Sequence, residues 1–188
     1  MSQALAPLTL EAFLEWERQQ ELRYEFDGVQ PIAMTGGTVA HSIISTNIVV
    51  VLTSRLRGSG CRAFSSDVKI VTTRRVRYPD ATVTCTTPKF GSDIVPDPVV
   101  VFEVLSPSTA PVDRIVKNEE YRLTPSIQHY VILEPNRMEA IVFSREGDRW
   151  VSLTVSGAGT VDLAALNLSI ELAELYADAG LSEPAVDS

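Results

Sequence analysis

Cysteine is scarce in this chain: Cys61 and Cys85 are the only two among 188 residues, and they stand alone, in no paired spacing. That pattern excludes a zinc site built on cysteine pairs and a disulfide-dense scaffold, and its expectation is a reducing compartment. Long apolar runs are missing as well. The longest, such as Val99 to Leu105, fall far short of the ~20 residues that cross a bilayer, so no membrane partner is expected. With no basic start leading into an apolar block, the sequence reads as cytoplasmic. Positive charge is in deficit: 16 Lys and Arg face 24 Asp and Glu, for a net charge of −8. A nucleic-acid partner normally demands the opposite balance, unless basic residues cluster. One cluster exists, Arg74, Arg75 and Arg77, just before Pro79-Asp80. It reads either as a phosphate-contacting patch or as a solvated hairpin tip. No Ser-His-Asp arrangement, P-loop glycine pattern or internal repeat is found.

The remaining composition is that of an ordinary globular α/β protein, with 45% hydrophobic and 21% charged residues. At roughly 100 to 200 residues per domain the chain makes one unit. We expect a domain over residues 9–180, with flexible ends at 1–8 and 181–188. Thr9 is placed to cap a first helix running to about Gln20, with Leu8 and Phe13 as a hydrophobic staple. Asp27-Gly28 between two short extended runs signals a hairpin over Arg23 to Met34. Ile44, Ile48, Val51, Leu52 and Leu56 recur at helical spacing over Val39 to Arg57, which Gly58 and Gly60 close. Extended runs follow at Cys61 to Ile70, broken at Ser65-Ser66, then at Tyr78 to Thr84 and Val99 to Leu105. Asp113 to Leu123 reads as a helix and His129 to Leu133 as a strand, giving a strand, helix, strand unit with parallel strands. Met138 to Ser144 and Arg149 to Val155 form an antiparallel pair about Gly147-Asp148, and an amphipathic segment near Glu171 to Ala179 closes the domain.

Chemistry concentrates on two carboxylates. Val99 to Leu105 is apolar on both faces, the pattern of a central strand, and Glu103 is its one charge. An ionised carboxylate there must be paired, protonated or bound to a cation. Asp80, after Pro79, can stand beside it if the two runs pair. Two converging carboxylates with the Val104 carbonyl suit Mg²⁺, which takes one or two carboxylates and keeps several waters. The second Pro-Asp, Pro96-Asp97, is excluded because Asp97 lies six residues before Glu103 in the same extended segment. At ~3.3 Å per residue the two would be roughly 20 Å apart. Lys117 is either a cation for this site or an ordinary i, i+4 partner of Asp113 on a solvated face. Lys69 is the other candidate lysine. His41, opening the long helix, is read as either a substrate contact or a capping residue, and His129 as structural. Ser106 and Ser108 suit a phosphate contact or a turn equally.

Pro79-Asp80, Glu103-Val104-Leu105-Ser106-Pro107-Ser108 and Lys117 with Tyr121 one turn on together resemble the Uma group of restriction-endonuclease-type proteins, a branch of the PD-(D/E)XK superfamily. Arg23 to Gly28, His41 and Tyr130 to Pro135 extend the likeness over roughly residues 9 to 150. The resemblance implies a restriction-endonuclease-like fold, a mixed central sheet flanked by helices. It also implies a Mg²⁺ site, with Mn²⁺ as substitute, on Asp80, Glu103 and Val104, and DNA phosphodiester hydrolysis. Glu25 would join the site edge, and His41, Tyr121 and Ser106 would meet substrate. The superfamily's usual lysine, two residues after the Glu, is replaced here by Leu105, which makes Lys117 the substitute. A homodimer is expected, since two strands of a duplex are served by two sites related by a two-fold axis. The rival readings are a non-catalytic nuclease-fold binding or regulatory module, and a metal hydrolase for smaller phosphate esters.

Overall fold

The computed structural model describes residues 8–34, 36–106 and 110–181. The expected flexible ends, apart from Leu8 and Leu181, and the Pro107-Ser108 part of the motif lie outside the described residues. Helix α1 (Leu10–Glu17) begins where Thr9 accepts the Ala12 N–H, and Leu8 packs with Phe13 in one small core. Strands β1 (Tyr24–Phe26) and β2 (Pro31–Ala33) form the hairpin, turned at Asp27, whose carboxylate accepts the Val29 and Gln30 N–H groups, and at Gly28 with φ 94°. The long helix α2 (Val39–Arg55) is capped by Thr38 and buries Ile44, Ile48 and Leu52.

Strands β3 (Arg62–Ser65), β4 (Ile70–Val71), β5 (Val76–Arg77), β6 (Ala81–Thr84) and β7 (Pro98–Val104) follow. The chain then forms a π-helical turn (Val112–Lys117), helix α3 (Asn118–Arg122) and strand β8 (His129–Leu133). The long hairpin β9 (Glu139–Glu146) and β10 (Arg149–Ser156) comes next. A further hairpin, β11 (Thr160–Leu163) and β12 (Leu168–Glu171), leads into the short helix α4 (Leu172–Leu175).

The central sheet runs β10-β9-β8-β7-β6-β3 and is mixed: β7 and β8 are parallel, as a strand, helix, strand unit requires, and the other pairings are antiparallel. One face carries the largest core, with α2, α4 and the β11-β12 hairpin. The other carries Tyr121, Tyr130 and Ile132. A second, four-stranded sheet, β2-β1-β5-β4, packs with α1 around Phe13, Phe26 and Val76. The chain passes from one sheet to the other at Tyr78–Pro79–Asp80.

Several expectations need correction. Cys61 and Cys85 do not stand alone: the β3-β6 register pairs Arg62 with Thr84, which sets the cysteines opposite one another, and they form a disulfide. The ground for a reducing compartment is thereby removed. The helix expected from Asp113 opens as a π-helical turn and becomes α-helical only from Asn118. The amphipathic closing segment expected near Glu171 to Ala179 follows strand β12 directly, with helix α4 over Leu172–Leu175.

A candidate metal centre at the seam of two sheets

The antiparallel register of β6 and β7 pairs Ala81 with Phe102, which brings Asp80, one residue earlier, to the Glu103 end of β7. The Val104 N–H donates to Asp80 Oδ2 at 2.7 Å, and His41 Nε2 lies 3.4 Å from the same oxygen. His41 is held here by the first turn of α2. A Cβ on Gly37 would stand 2.8 Å from His41 Nδ1, so glycine is what lets the preceding loop pass over the ring. The hydrogen bond to Asp80 raises the imidazole above its ordinary pKa despite partial burial, and the Val104 main chain adds to the shift. Thus Asp80, His41 and Val104 share one spot.

Glu103 is 4% exposed. Its Oε1 accepts from Lys117 Nζ at 2.9 Å and from the Tyr121 hydroxyl at 3.1 Å. Burial pushes its carboxyl well above the usual range, opposed by Lys117 and reinforced by the charges of Asp113, Asp80 and Glu25. Lys117 is equally buried, and its ammonium also lies 3.2 Å from Glu25 and 3.1 Å from Asp113. Burial alone would push its pKa down, but the surrounding carboxylates outweigh this and raise it. The pairing of Lys117 with Asp113 therefore forms, but it faces the interior rather than a solvated surface.

Glu25 reaches the site from the other sheet. It accepts from Arg77 at 3.0 Å and from the Tyr78 N–H at 3.3 Å. Burial works against its charge, yet Lys117 and Arg77 together hold its pKa below the ordinary value. Arg77 is 1% exposed and also binds Glu120 at 2.8 Å, and Arg75 joins Glu120 at 3.2 Å. The three-arginine cluster accordingly does not present three free cations to phosphate: Arg77 is turned inward as a counter-ion, and Arg75, half-buried, is tied to the same Glu120. Period-two alternation places Arg75 and Arg77 on one side with Val76 between them, a signal the sequence did carry. Glu120, next to Tyr121, was not singled out in the sequence.

Lys69 is placed elsewhere. It is buried against Glu17 and lies 2.7 Å from Asp93, with the Tyr78 hydroxyl also on Glu17. Asp97 sits at the opposite end of β7 from Glu103. His129 accepts the Ala165 N–H on Nε2 and meets Ser144 through Nδ1, away from the carboxylates. Glu25, His41, Asp80, Glu103, Val104, Ser106 and Lys117 line a cavity of about 140 Å³.

Among the described residues no group of three or more His, Cys, Asp or Glu side chains forms a ready-made metal cage. The donors fit an open Mg²⁺ site instead, because that ion is satisfied by one or two carboxylates and retained water. Five carboxylates (Asp80, Glu103, Glu25, Asp113, Glu120) here face three permanently charged cations (Lys117, Arg77, Arg75). The raised pKa of Glu103 and that of His41 against Asp80 both reduce the formal excess of acid, so the charge balance of the cluster turns on those two groups.

A mixed sheet with helices on its faces and two acids at the ends of adjacent strands defines a restriction-endonuclease-like α/β domain. A solved structure described as a putative nuclease belonging to DUF820, from Anabaena variabilis ATCC 29413, shares this fold with a TM-score of 0.73, covering 90% of this chain and 98% of that one at 19% identity. The chain belongs to the Uma2 family, described as "Putative restriction endonuclease", whose pattern it matches over residues 10–174. It is similar to two uncharacterized proteins of Synechocystis sp. (strain ATCC 27184 / PCC 6803 / Kazusa). With slr1290 it is 31% identical over 90% of this chain and 91% of the relative; with sll1609, 28% identical over 78% and 86%. Among the described residues no helix is long and apolar enough to cross a membrane.

Proposed function

We propose that this protein is a Mg²⁺-dependent endonuclease that hydrolyses DNA phosphodiester bonds. The observation that carries the reading is the convergence of Asp80, Glu103 and Lys117 at one cavity on a fold of this class. Asp80, Glu103 and the Val104 carbonyl would hold the ion, Mg²⁺ or in its place Mn²⁺. When bound, it would lower the pKa of a water and offset charge growing on the phosphate.

The chain's own residues supply the rest. Lys117, fixed by three carboxylates, stays protonated and presents a cation where negative charge develops. Tyr121, fully buried and absent from the cavity lining, does not meet substrate as expected; with Lys117 it orients the Glu103 carboxylate through Oε1. Glu25, with Arg77 behind it, fixes Lys117 from the second sheet. His41 and Ser106, which line the same cavity, would meet the phosphate. A homodimer working on the two strands is the form we infer from the reaction.

Asp80→Asn and Glu103→Gln each remove charge without removing volume. Both are expected to abolish Mg²⁺-dependent nicking of supercoiled DNA while leaving the circular dichroism spectrum unchanged. Parent-rate cutting by either variant would remove that residue from the catalytic centre. Absence of cutting in the parent, with Mg²⁺ still bound, would leave a nuclease-fold binding module.

A further inference from the structure

Asp113 is 1% exposed, and its Oδ1 accepts no well-formed hydrogen bond among the described residues. A buried carboxylate oxygen left that way is costly unless a cation stands close. The cation beside it is Lys117 Nζ, at 3.1 Å. Both residues belong to the π-helical turn, a winding that is rare and concentrated at functional sites. The turn is tied down at the Asp113 end: the Tyr130 hydroxyl on β8 donates to the Asp113 carbonyl at 3.0 Å. Tyr130 in turn meets Tyr121 edge to face, with ring centroids 4.8 Å apart.

The three acids around Lys117 are not equivalent. Glu103 is a ligand in the proposed reaction and must share its charge. Glu25 belongs to the other sheet. Asp113 alone of the three shares the turn of Lys117, and among the described residues its side chain is engaged by no other cation. A lysine is a flexible four-carbon stem ending in a point charge, so its aim depends on what holds the ammonium. We propose that Asp113 is a positioning residue, acting through Lys117: it keeps the ammonium inside the site and directed at the Glu103 edge. For its effect on the reaction this rests on the nuclease reading, but the placement of Lys117 does not.

The test compares parent and Asp113→Asn, an isosteric neutral change, on three readouts. Acylation of Lys117 by an amine-reactive ester, followed by mass spectrometry on the folded protein, reports whether the ammonium is held. Steady-state cleavage of plasmid DNA in Mg²⁺ separates kcat from KM. The Mg²⁺-induced shift in melting temperature reports metal binding.

Asp113→Asn is expected to acylate faster at Lys117 and to lose about 10- to 100-fold in kcat, the usual cost of removing a group that orients a catalytic one. KM and the Mg²⁺-induced shift should be unchanged. Equal protection of Lys117 in parent and variant overturns the proposal, and so does loss of the metal shift, which would make Asp113 a ligand. Should the asparagine variant fail to fold, Asp113→Ser carries the same readouts with a smaller neutral side chain. A parent that does not cut DNA refutes the nuclease reading, while the acylation result still decides the position of Lys117.

Discussion

Lys117 and Lys69 are both buried cations held by acids, and they separate by what those acids are. Lys117 bears on Glu103, whereas Lys69 ties α1 to the loop before β7 through Glu17 and Asp93. Lys117→Met is therefore expected to lower the cleavage rate by roughly 10²-fold, the scale for one lost preorganised charge-stabilising group. Lys69→Met should leave the rate of the folded enzyme unchanged and cost about 3 to 5 kcal/mol of stability, since Glu17 loses its buried counter-ion. Lys117→Met strips buried carboxylates of a counter-ion too, so the cleavage rate and not the melt distinguishes them; a collapsed rate in Lys69→Met with a normal one in Lys117→Met would exchange their roles. At this scale the sequence was informative where a residue contradicted its surroundings. Glu103 in an all-apolar strand demanded a partner, and Lys117 filled the position that Leu105 could not. Arg77 was carried only by its alternation with Val76 in a stretch whose charged neighbours look solvated, and Asp113 was hidden because an acid one turn before a lysine is so common on exposed helices.

Elements were legible where periodicity was strong, as in α2 and the β9-β10 hairpin, and least legible where pairing depends on distant register. The disulfide is of the second kind: nothing local to Cys61 or Cys85 announces it, and only the alignment of β3 with β6 does so. Closing a loop of 24 residues restricts the unfolded chain by about 3 kcal/mol on the chain-entropy estimate. Urea midpoints of the oxidised protein should thus exceed those of the reduced protein and of Cys61→Ser. Coincident midpoints would mean the two sulfurs are not bonded in solution. The π-helical turn was equally hidden, because its apolar spacing differs little from that of an α-helix over a single turn.

Over the whole molecule, a net charge of −8 argued against nucleic acid, and the fold resolves part of that conflict by gathering acid at one interior place. Divalent metal should therefore raise the melting temperature of the parent and not that of the Asp80→Asn, Glu103→Gln double variant. The gain is about 1.4 to 2.7 kcal/mol with the ion at ten to a hundred times its Kd. A matching rise in both proteins would place the effect on the acidic surface instead. Calorimetric melts with Mg²⁺ and after chelation supply the comparison.

The seam at Tyr78–Pro79–Asp80 has a consequence of its own. Glu25 and Arg77 hang from one hydrogen-bonded sheet, Asp80 and Glu103 from the other, and among the described residues no backbone ladder spans the gap between them. The ammonium of Lys117 is one rivet, joined at once to an acid from each side, and Glu120 on α3, holding Arg75 and Arg77, is another. Prising the small sheet away would dismantle the chemistry while leaving the larger sheet's ladders intact. The competence of the site is in this sense a property of docking, and it can be gained or lost well short of folding or unfolding the whole chain.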